Sequence, residues 1–206
     1  MIAAGNWGGT QALSSQALAA GPGNAAARIA SGDVALAGGR PADAMVHYRT
    51  AAKVKLDEAL LVRMAVALEA SGALIDAADL VHAFHLQNPS SSVAARLAAR
   101  LAADRGDWGR AAVLLDHARA SGGERDAHLL VDLSRAQARA GAAGDALATA
   151  HEAWALQRGS GYTAQALGLA LRGAKQHPAN ASALLAKARA TGADIAALPA
   201  VRYIHD

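Results

Sequence analysis

The chain has 206 residues, of which 53% are apolar but only 3% aromatic, and its formal net charge is +3. It contains 59 alanines, and because alanine favours helices, this composition argues against a β-sandwich or barrel, which depends on β-branched and aromatic residues. The charged fraction of 18% beside so many apolar residues excludes a disordered polar chain. Cysteine is absent, which excludes disulfides, thiolate metal sites and a cysteine nucleophile.

The first charged side chain is Arg28. Polar residues and glycines interrupt the stretch before it, so this stretch predicts neither a membrane span nor a signal peptide. The compartment therefore stays open between cytoplasm and periplasm. The chain has no run of five or more Lys or Arg, and such a distribution of basic residues argues against a nucleic-acid partner.

Glycine marks a repeat with a period of 33–35 residues. Its members are Gly5, Gly39, Gly72, Gly106 and Gly141. Four of them are followed five positions later by an alanine, at Ala44, Ala77, Ala111 and Ala146. A sixth unit fits if Gln176 takes the glycine place. The pattern predicts helix–turn–helix units in which the glycine ends the first helix and the alanine is buried between the two helices.

In chain order, residues 1–24 are predicted to hold a second helix without its first. Complete units follow at residues 25–57, 58–91, 92–126, 127–161 and 162–195, each with two helices of about 12–16 residues. Residues 196–206 are in phase with the start of a further helix. Neither end supplies the polar cap that a repeat array needs, so the sequence favours a fragment of a longer repeat protein over a complete small protein with frayed ends.

The segments 39–48 and 106–115 read as the turn and second helix of such a unit, and the whole pattern resembles the tetratricopeptide repeat (TPR). A small residue stands at the family's eighth position in four units, as Gly32, Ala65, Ala99 and Ser134, whereas Leu169 departs from it in the last. The bulky aromatics of the family are mostly missing, so the repeats are degenerate. The resemblance implies an all-α, right-handed α-solenoid whose first helices line a concave groove.

The same resemblance singles out five residues as a candidate binding site. At the positions that usually face the groove in the family stand Arg96, Arg100, His128, Arg135 and Arg139. Arginine recognises carboxylates through paired hydrogen bonds, so the predicted ligand is an acidic peptide. The alternative is a solvated helix face, in which Arg100 pairs with Asp104 four residues on. The family's lysine- and asparagine-based carboxylate clamp is not matched.

The sequence predicts a non-catalytic scaffold that binds a protein or peptide partner, with no cofactor, no metal and no nucleic acid. The alternative is a structural spacer or self-association module within a larger secretion or envelope assembly. His82 and His85 have a spacing that can chelate a metal, but with Asp79 they would make an incomplete zinc site, so an ordinary helix face is favoured. Trp7 and Trp108 both stand two places after the repeat glycine, which favours packing over ligand stacking.

Overall fold

The computed structural model describes residues 23–193, together with positions 16, 19 and 21. Over residues 23–193 the chain forms ten α-helices and no β-strand. The helices are α1 (Ala25–Ala37), α2 (Pro41–Ala52), α3 (Glu58–Ala70), α4 (Leu74–Gln87), α5 (Ser92–Asp104), α6 (Trp108–Ala118), α7 (Ala127–Arg139), α8 (Ala143–Leu156), α9 (Gly161–Gly173) and α10 (Pro178–Ala190). A kinked turn over Arg119–Gly123 follows α6. The predictions for residues 1–24 and 196–206, and for Trp7, fall largely or wholly outside the described residues.

The helices form hairpins of the kind found in an all-α repeat solenoid. In the first unit α1 packs on α2 and α2 packs on α3. In the second unit the hairpins are α5–α6, α7–α8 and α9–α10, and α6 packs on α7 and α8 on α9. The chain divides into two compact units, one ending at Leu86 and the other beginning at Gln87. The first unit contains α1–α3 and nearly all of α4, and the second contains α5–α10.

Every first helix begins with a side-chain cap. In α1, α3, α5, α7 and α9 the residue before the helix accepts a hydrogen bond from a backbone N–H of the first turn, through Asn24, Asp57, Ser91, Asp126 and Ser160 respectively. Each such cap stabilises a helix by about 1 kcal/mol. The caps therefore mark the start of each repeat in the sequence as consistently as the glycines mark its turn.

The repeat glycines end the first helices, as predicted. Gly39, Gly72, Gly106 and Gly141 all have positive φ, between 72° and 88°, a conformation that glycine adopts without the strain that a Cβ brings. The residue after each glycine donates its backbone N–H to a carbonyl in the last turn of the first helix, at 2.9 Å. This hydrogen bond closes the helix and directs the chain into the second helix.

In the last repeat the left-handed turn residue lies one position earlier than the sequence predicted. Its positive φ of 56° falls on Lys175 rather than Gln176, and the closing N–H···O bond runs from Gln176 to Leu171. The small residue of α9 is correspondingly Gly168, one place before Leu169, because a Cβ at Gly168 would crowd Leu185 and the Ala181 carbonyl. The extra residue lies in the turn, where His177 also has a positive φ of 44°.

Buried alanines at the repeat phase allow the helices to touch. Ala44, Ala77, Ala111 and Ala146 are fully buried, and Ala181 is 3% exposed. Ala111 lies in a core cluster with Ala99 of α5 and Leu133 of α7. The predicted burial of Ala111 and Ala146 is confirmed.

The first unit adds the large aromatic side chain of Tyr48 to this small-residue core. Tyr48 of α2 is fully buried, and its ring occupies the space that a Cβ at Gly32 would need. Its hydroxyl donates to Asp33 at 2.7 Å, and Arg63 Nε donates to the same carboxylate at 3.0 Å. Burial, followed by the Asp33 hydrogen bond, raises the pKa of Tyr48 well above its usual range. The carboxylate thus ties α1, α2 and α3 together.

We expect Ala111→Leu to destabilise the protein by about 1–3 kcal/mol, because the larger side chain overpacks the contact between α5, α6 and α7. Ala138→Leu is the matched control, since Ala138 is exposed on α7 and should change stability by less than about 0.5 kcal/mol. Urea unfolding of both variants checks the expectation. Equal stability of Ala111→Leu and the parent would show that this contact tolerates extra volume.

We expect Lys175→Gly to stabilise the protein by about 0.5–1 kcal/mol, because it removes the Cβ from a left-handed position that glycine holds in the other turns. The comparison is Gln176→Gly, the residue that the sequence had placed in the turn, which lacks a positive φ in the structure. That substitution should be neutral or destabilising. If thermal melts showed Gln176→Gly to be the more stable variant, the turn residue would be Gln176, as the sequence predicted.

Candidate interaction site

The five predicted site residues all lie in the second unit, on the first helices α5 and α7. Four of them belong to two groups of contacts. Arg96 and His128 flank the carboxylate of Asp126, and Arg135 and Arg139 meet on the ring of Trp108. Arg100, the fifth, is buried.

The first group is centred on Asp126, the residue that caps α7. Its Oδ1 accepts from the backbone N–H groups of His128 and Leu129 at 2.9 and 3.1 Å, while its Oδ2 accepts from Arg96 Nη1 at 2.6 Å. Burial alone would raise the pKa of Asp126, but the Arg96 guanidinium and the two N–H groups outweigh it, so this pKa lies below its ordinary value. One carboxylate therefore caps a helix and fastens it to the preceding repeat.

His128 extends this group to the next repeat. Its Nδ1 lies 4.0 Å from the Asp126 carboxylate, and its ring meets the ring of Tyr162 edge to face, with centroids 5.8 Å apart. Tyr162 stands in the first turn of α9. Arg96, Asp126, His128 and Tyr162 thus form a row across the first helices α5, α7 and α9, which we call the first-helix row.

Arg100 does not contribute an accessible guanidinium. The residue is only 4% exposed, and its Nη1 donates to Asp104 at 3.1 Å. This is the helix pair that the sequence offered as the alternative to a groove. Asp132 on α7 is also buried, and buried charges of this kind are held by partners within the protein. Arg100 is therefore too buried to contact a ligand directly.

The second group is built on Trp108, at the start of α6. The guanidinium carbons of Arg135 and Arg139 lie 5.3 and 5.0 Å from the centroid of its ring, within the range of a cation–π contact. Trp108 itself is half-buried and packs against the core cluster that contains Ala111 and Leu133. The predicted packing role of Trp108 is confirmed, and Trp108, Arg135 and Arg139 are called the Trp108 clamp below.

Sequence reasoning found the arginines but did not connect them to the three residues that organise them. Asp126, Trp108 and Tyr162 belong to neighbouring repeats, so their contacts join side chains that are 27–34 positions apart. The capping pattern could have identified Asp126, because an Asp, Asn or Ser precedes each first helix at the same phase. Nothing in the sequence marked Tyr162.

Within residues 23–193 no group of three or more His, Cys, Asp or Glu side chains could hold a metal ion. In the same residues, His82 is exposed and His85 is partly buried on α4. None of the helices that the structure describes is long and apolar enough to cross a membrane.

Hairpins closed by left-handed glycines, with small residues where the helices touch, are the features of a TPR-like helical-repeat fold. Solved structures share this fold. The chain is similar to MamA 41-end from Desulfovibrio magneticus RS-1, with a TM-score of 0.68 and 18% identity over 82% of this chain and 94% of that one. It is also similar to YrrB, described as a TPR protein with an unusual peptide-binding site, with a TM-score of 0.65 and 14% identity over 85% and 90%.

A third similar structure is the APC/C hetero-tetramer Cut9-Hcn1, with a TM-score of 0.68 and 15% identity over 95% of this chain and 39% of that one. No family model matches the sequence, and no curated protein matches it either. The identities are low, so these likenesses show the TPR fold, in line with the sequence resemblance.

We expect Asp126→Asn to lower stability by about 1 kcal/mol at neutral pH, because asparagine keeps the helix cap but loses the charge that pairs with Arg96. Asp126→Ala, which also loses the cap, should cost about twice as much. Because the folded-state pKa of Asp126 is lowered, its charge stabilises the protein above the unfolded pKa of about 4, and this contribution disappears as pH falls through the folded pKa.

Urea unfolding of the parent and Asp126→Asn at several pH values checks this. The difference between the two proteins should shrink steadily below about pH 4. A difference that stays constant down to the acid limit would mean that the Arg96 pair adds no stability.

Proposed function

We propose that the protein is a non-catalytic scaffold that binds an acidic protein or peptide segment along the first helices of its second unit. The observation that carries the proposal is the Trp108 clamp. Arg139 is exposed and Arg135 partly buried, and both guanidinium groups lie over the Trp108 ring. A guanidinium that stacks through its face keeps its N–H donors at the edge, where a carboxylate can accept two hydrogen bonds.

The two arginine side chains of the clamp are held in place before a ligand binds, and this favours binding. Two arginine side chains that are already held on an aromatic ring lose less conformational freedom when a ligand arrives than two mobile ones would. The first-helix row shares α7 with the clamp and supplies an imidazole and a phenol ring for further contacts.

The names of the similar structures support a role in protein interaction. One is described as having a peptide-binding site, and another is a complex of two different proteins. For this chain the partner follows from the chemistry of the clamp, which suits acidic side chains. No cofactor or metal takes part in this proposal.

The second candidate is the self-association or spacer role within a larger assembly. It is favoured by apolar side chains on the second helices that the protein leaves exposed, with Leu74 at 56%, Ile75 at 72% and Val113 at 71%. Exposed apolar residues mark interaction surfaces when they are contiguous. Analytical ultracentrifugation of the parent and Ile75→Lys distinguishes the two roles, because only self-association predicts a concentration-dependent oligomer that the substitution weakens.

The binding test compares acidic and basic peptide pools by fluorescence titration. Arg135→Gln/Arg139→Gln should weaken binding of the acidic pool by about tenfold or more, the loss expected when charge-assisted hydrogen bonds are removed. Arg49→Gln/Lys53→Gln removes the same charge from exposed positions in the first unit and should leave binding nearly unchanged. Binding should also weaken as salt rises, because exposed charges are screened.

The proposal fails if the parent shows no preference for the acidic pool. It fails equally if the clamp variant and the control variant lose affinity to the same extent, because the arginines would then act only through net charge.

A further inference from the structure

The positive charge of the chain is concentrated in its last described repeat. Between Ala153 and Ala193 the sequence has five basic side chains and no aspartate or glutamate, although the net charge of the whole chain is only +3. The basic residues are Arg158, Arg172, Lys175, Lys187 and Arg189. Residues 153–193 therefore contain no carboxylate side chain that could neutralise these cations.

Three of the five line one cavity. Arg172 and Lys175, at the end of α9, and Arg189, near the end of α10, surround a space of about 410 Å³ whose lining also includes Leu171 and Leu185. All three basic residues are exposed. Within residues 23–193 none of the three forms an ion pair with a carboxylate.

Lys187 of the same repeat is engaged in a different way. Its Nζ lies 4.7 Å from the centroid of the Trp154 ring and donates to the Arg158 carbonyl at 2.7 Å. In earlier repeats several arginines have carboxylate partners, as in the pairs Arg63–Asp33 and Arg119–Glu152. The cavity between α9 and α10 instead brings three cations to a space whose lining, over the described residues, contains no carboxylate.

We propose that this cavity is a second binding site, which takes an acidic peptide segment of a partner protein, with an apolar side chain on the leucines and carboxylates on the three cations. The inference rests on the proposed scaffold role but concerns a site other than the Trp108 clamp. Like charges around one space repel each other. An anionic ligand in that space offsets the repulsion and accepts charge-assisted hydrogen bonds from the cations.

The lining favours a peptide over other anions. Its apolar part, which includes Leu171, Ala181 and Leu185, would contribute nothing to a free phosphate but buries an aliphatic side chain. Over residues 23–193 the lining has no aromatic ring on which a nucleic-acid base could stack. The cavity lies between two helices, so the flat surface of a membrane would reach its rim but not its leucines.

The experiment uses the whole chain and a fluorescent peptide of repeated Glu-Glu-Leu units, with a Gln-Gln-Leu peptide as the uncharged comparison. The test variant is Arg172→Gln/Lys175→Gln/Arg189→Gln. The matched control, Arg49→Gln/Lys53→Gln/Lys55→Gln, removes the same three charges from exposed residues of the first unit. Circular dichroism melts check that both variants fold, and the single reversal Arg189→Glu provides a milder second variant of the site.

We expect the cavity variant to bind the Glu-Glu-Leu peptide at least about tenfold more weakly than the parent, and the control variant to change little. Arg189→Glu should also weaken binding. Equal losses in the cavity and control variants would overturn the proposal, because net charge alone would then explain the binding. Vesicles that contain phosphatidylserine, and polyuridylate, are tested in parallel; loss of binding to either of these without loss of peptide binding would overturn the peptide as occupant.

The Arg135→Gln/Arg139→Gln variant separates this inference from the proposed function. If only the clamp variant loses affinity for the peptide, the cavity is not a site, although the scaffold proposal stands. If only the cavity variant loses affinity, the second site is supported and the clamp loses its assigned role.

Discussion

Close contact between helices at small residues is the constraint on which the rest of the structure depends. In each repeat a glycine, alanine or serine stands seven positions after the first residue of the first helix, as Gly32, Ala65, Ala99, Ser134 and Gly168. A larger side chain at Gly32 would overlap the ring of Tyr48, and one at Gly168 would meet Leu185 and the backbone of α10. Because small residues bury little area each, the hairpins also depend on capped helix starts and left-handed turns.

Because the core contains few large side chains, charged residues also contribute to the contacts between repeats. Asp33 pairs with Arg63, and Asp126 pairs with Arg96, and in both pairs the partners are 30 residues apart. Each pair joins the first helix of one repeat to the start or the first helix of the next. Arginines that make such contacts hold the repeats in register, whereas Arg139 stays exposed.

The sequence predicted the repeats because their signals are local and recur five times. Glycine with positive φ and buried alanine each depend on a single residue type at one phase, so one sequence suffices to find them. The prediction placed Gln176 in the turn position because the last turn contains one extra residue. In addition, Lys175 stands where the other turns have the glycine that identifies the position in the sequence. The site was harder to predict, since the burial of Arg100 and the stacking of Arg139 on Trp108 depend on side chains from a neighbouring repeat.

Charge also distinguishes the two units, and this bears on where an anionic ligand can bind. Between Gly23 and Leu86 the sequence has seven acidic and six basic side chains, whereas between Gln87 and Ala193 it has eight acidic and thirteen basic ones. The potential of a whole surface attracts a ligand before any contact forms. On the proposed role, an acidic segment would be drawn to the second unit, which contains both the Trp108 clamp and the cavity of Arg172, Lys175 and Arg189. The clamp lies on α6 and α7 and the cavity on α9 and α10, so one extended acidic segment that reached both would gain affinity from their linkage as well as from each contact.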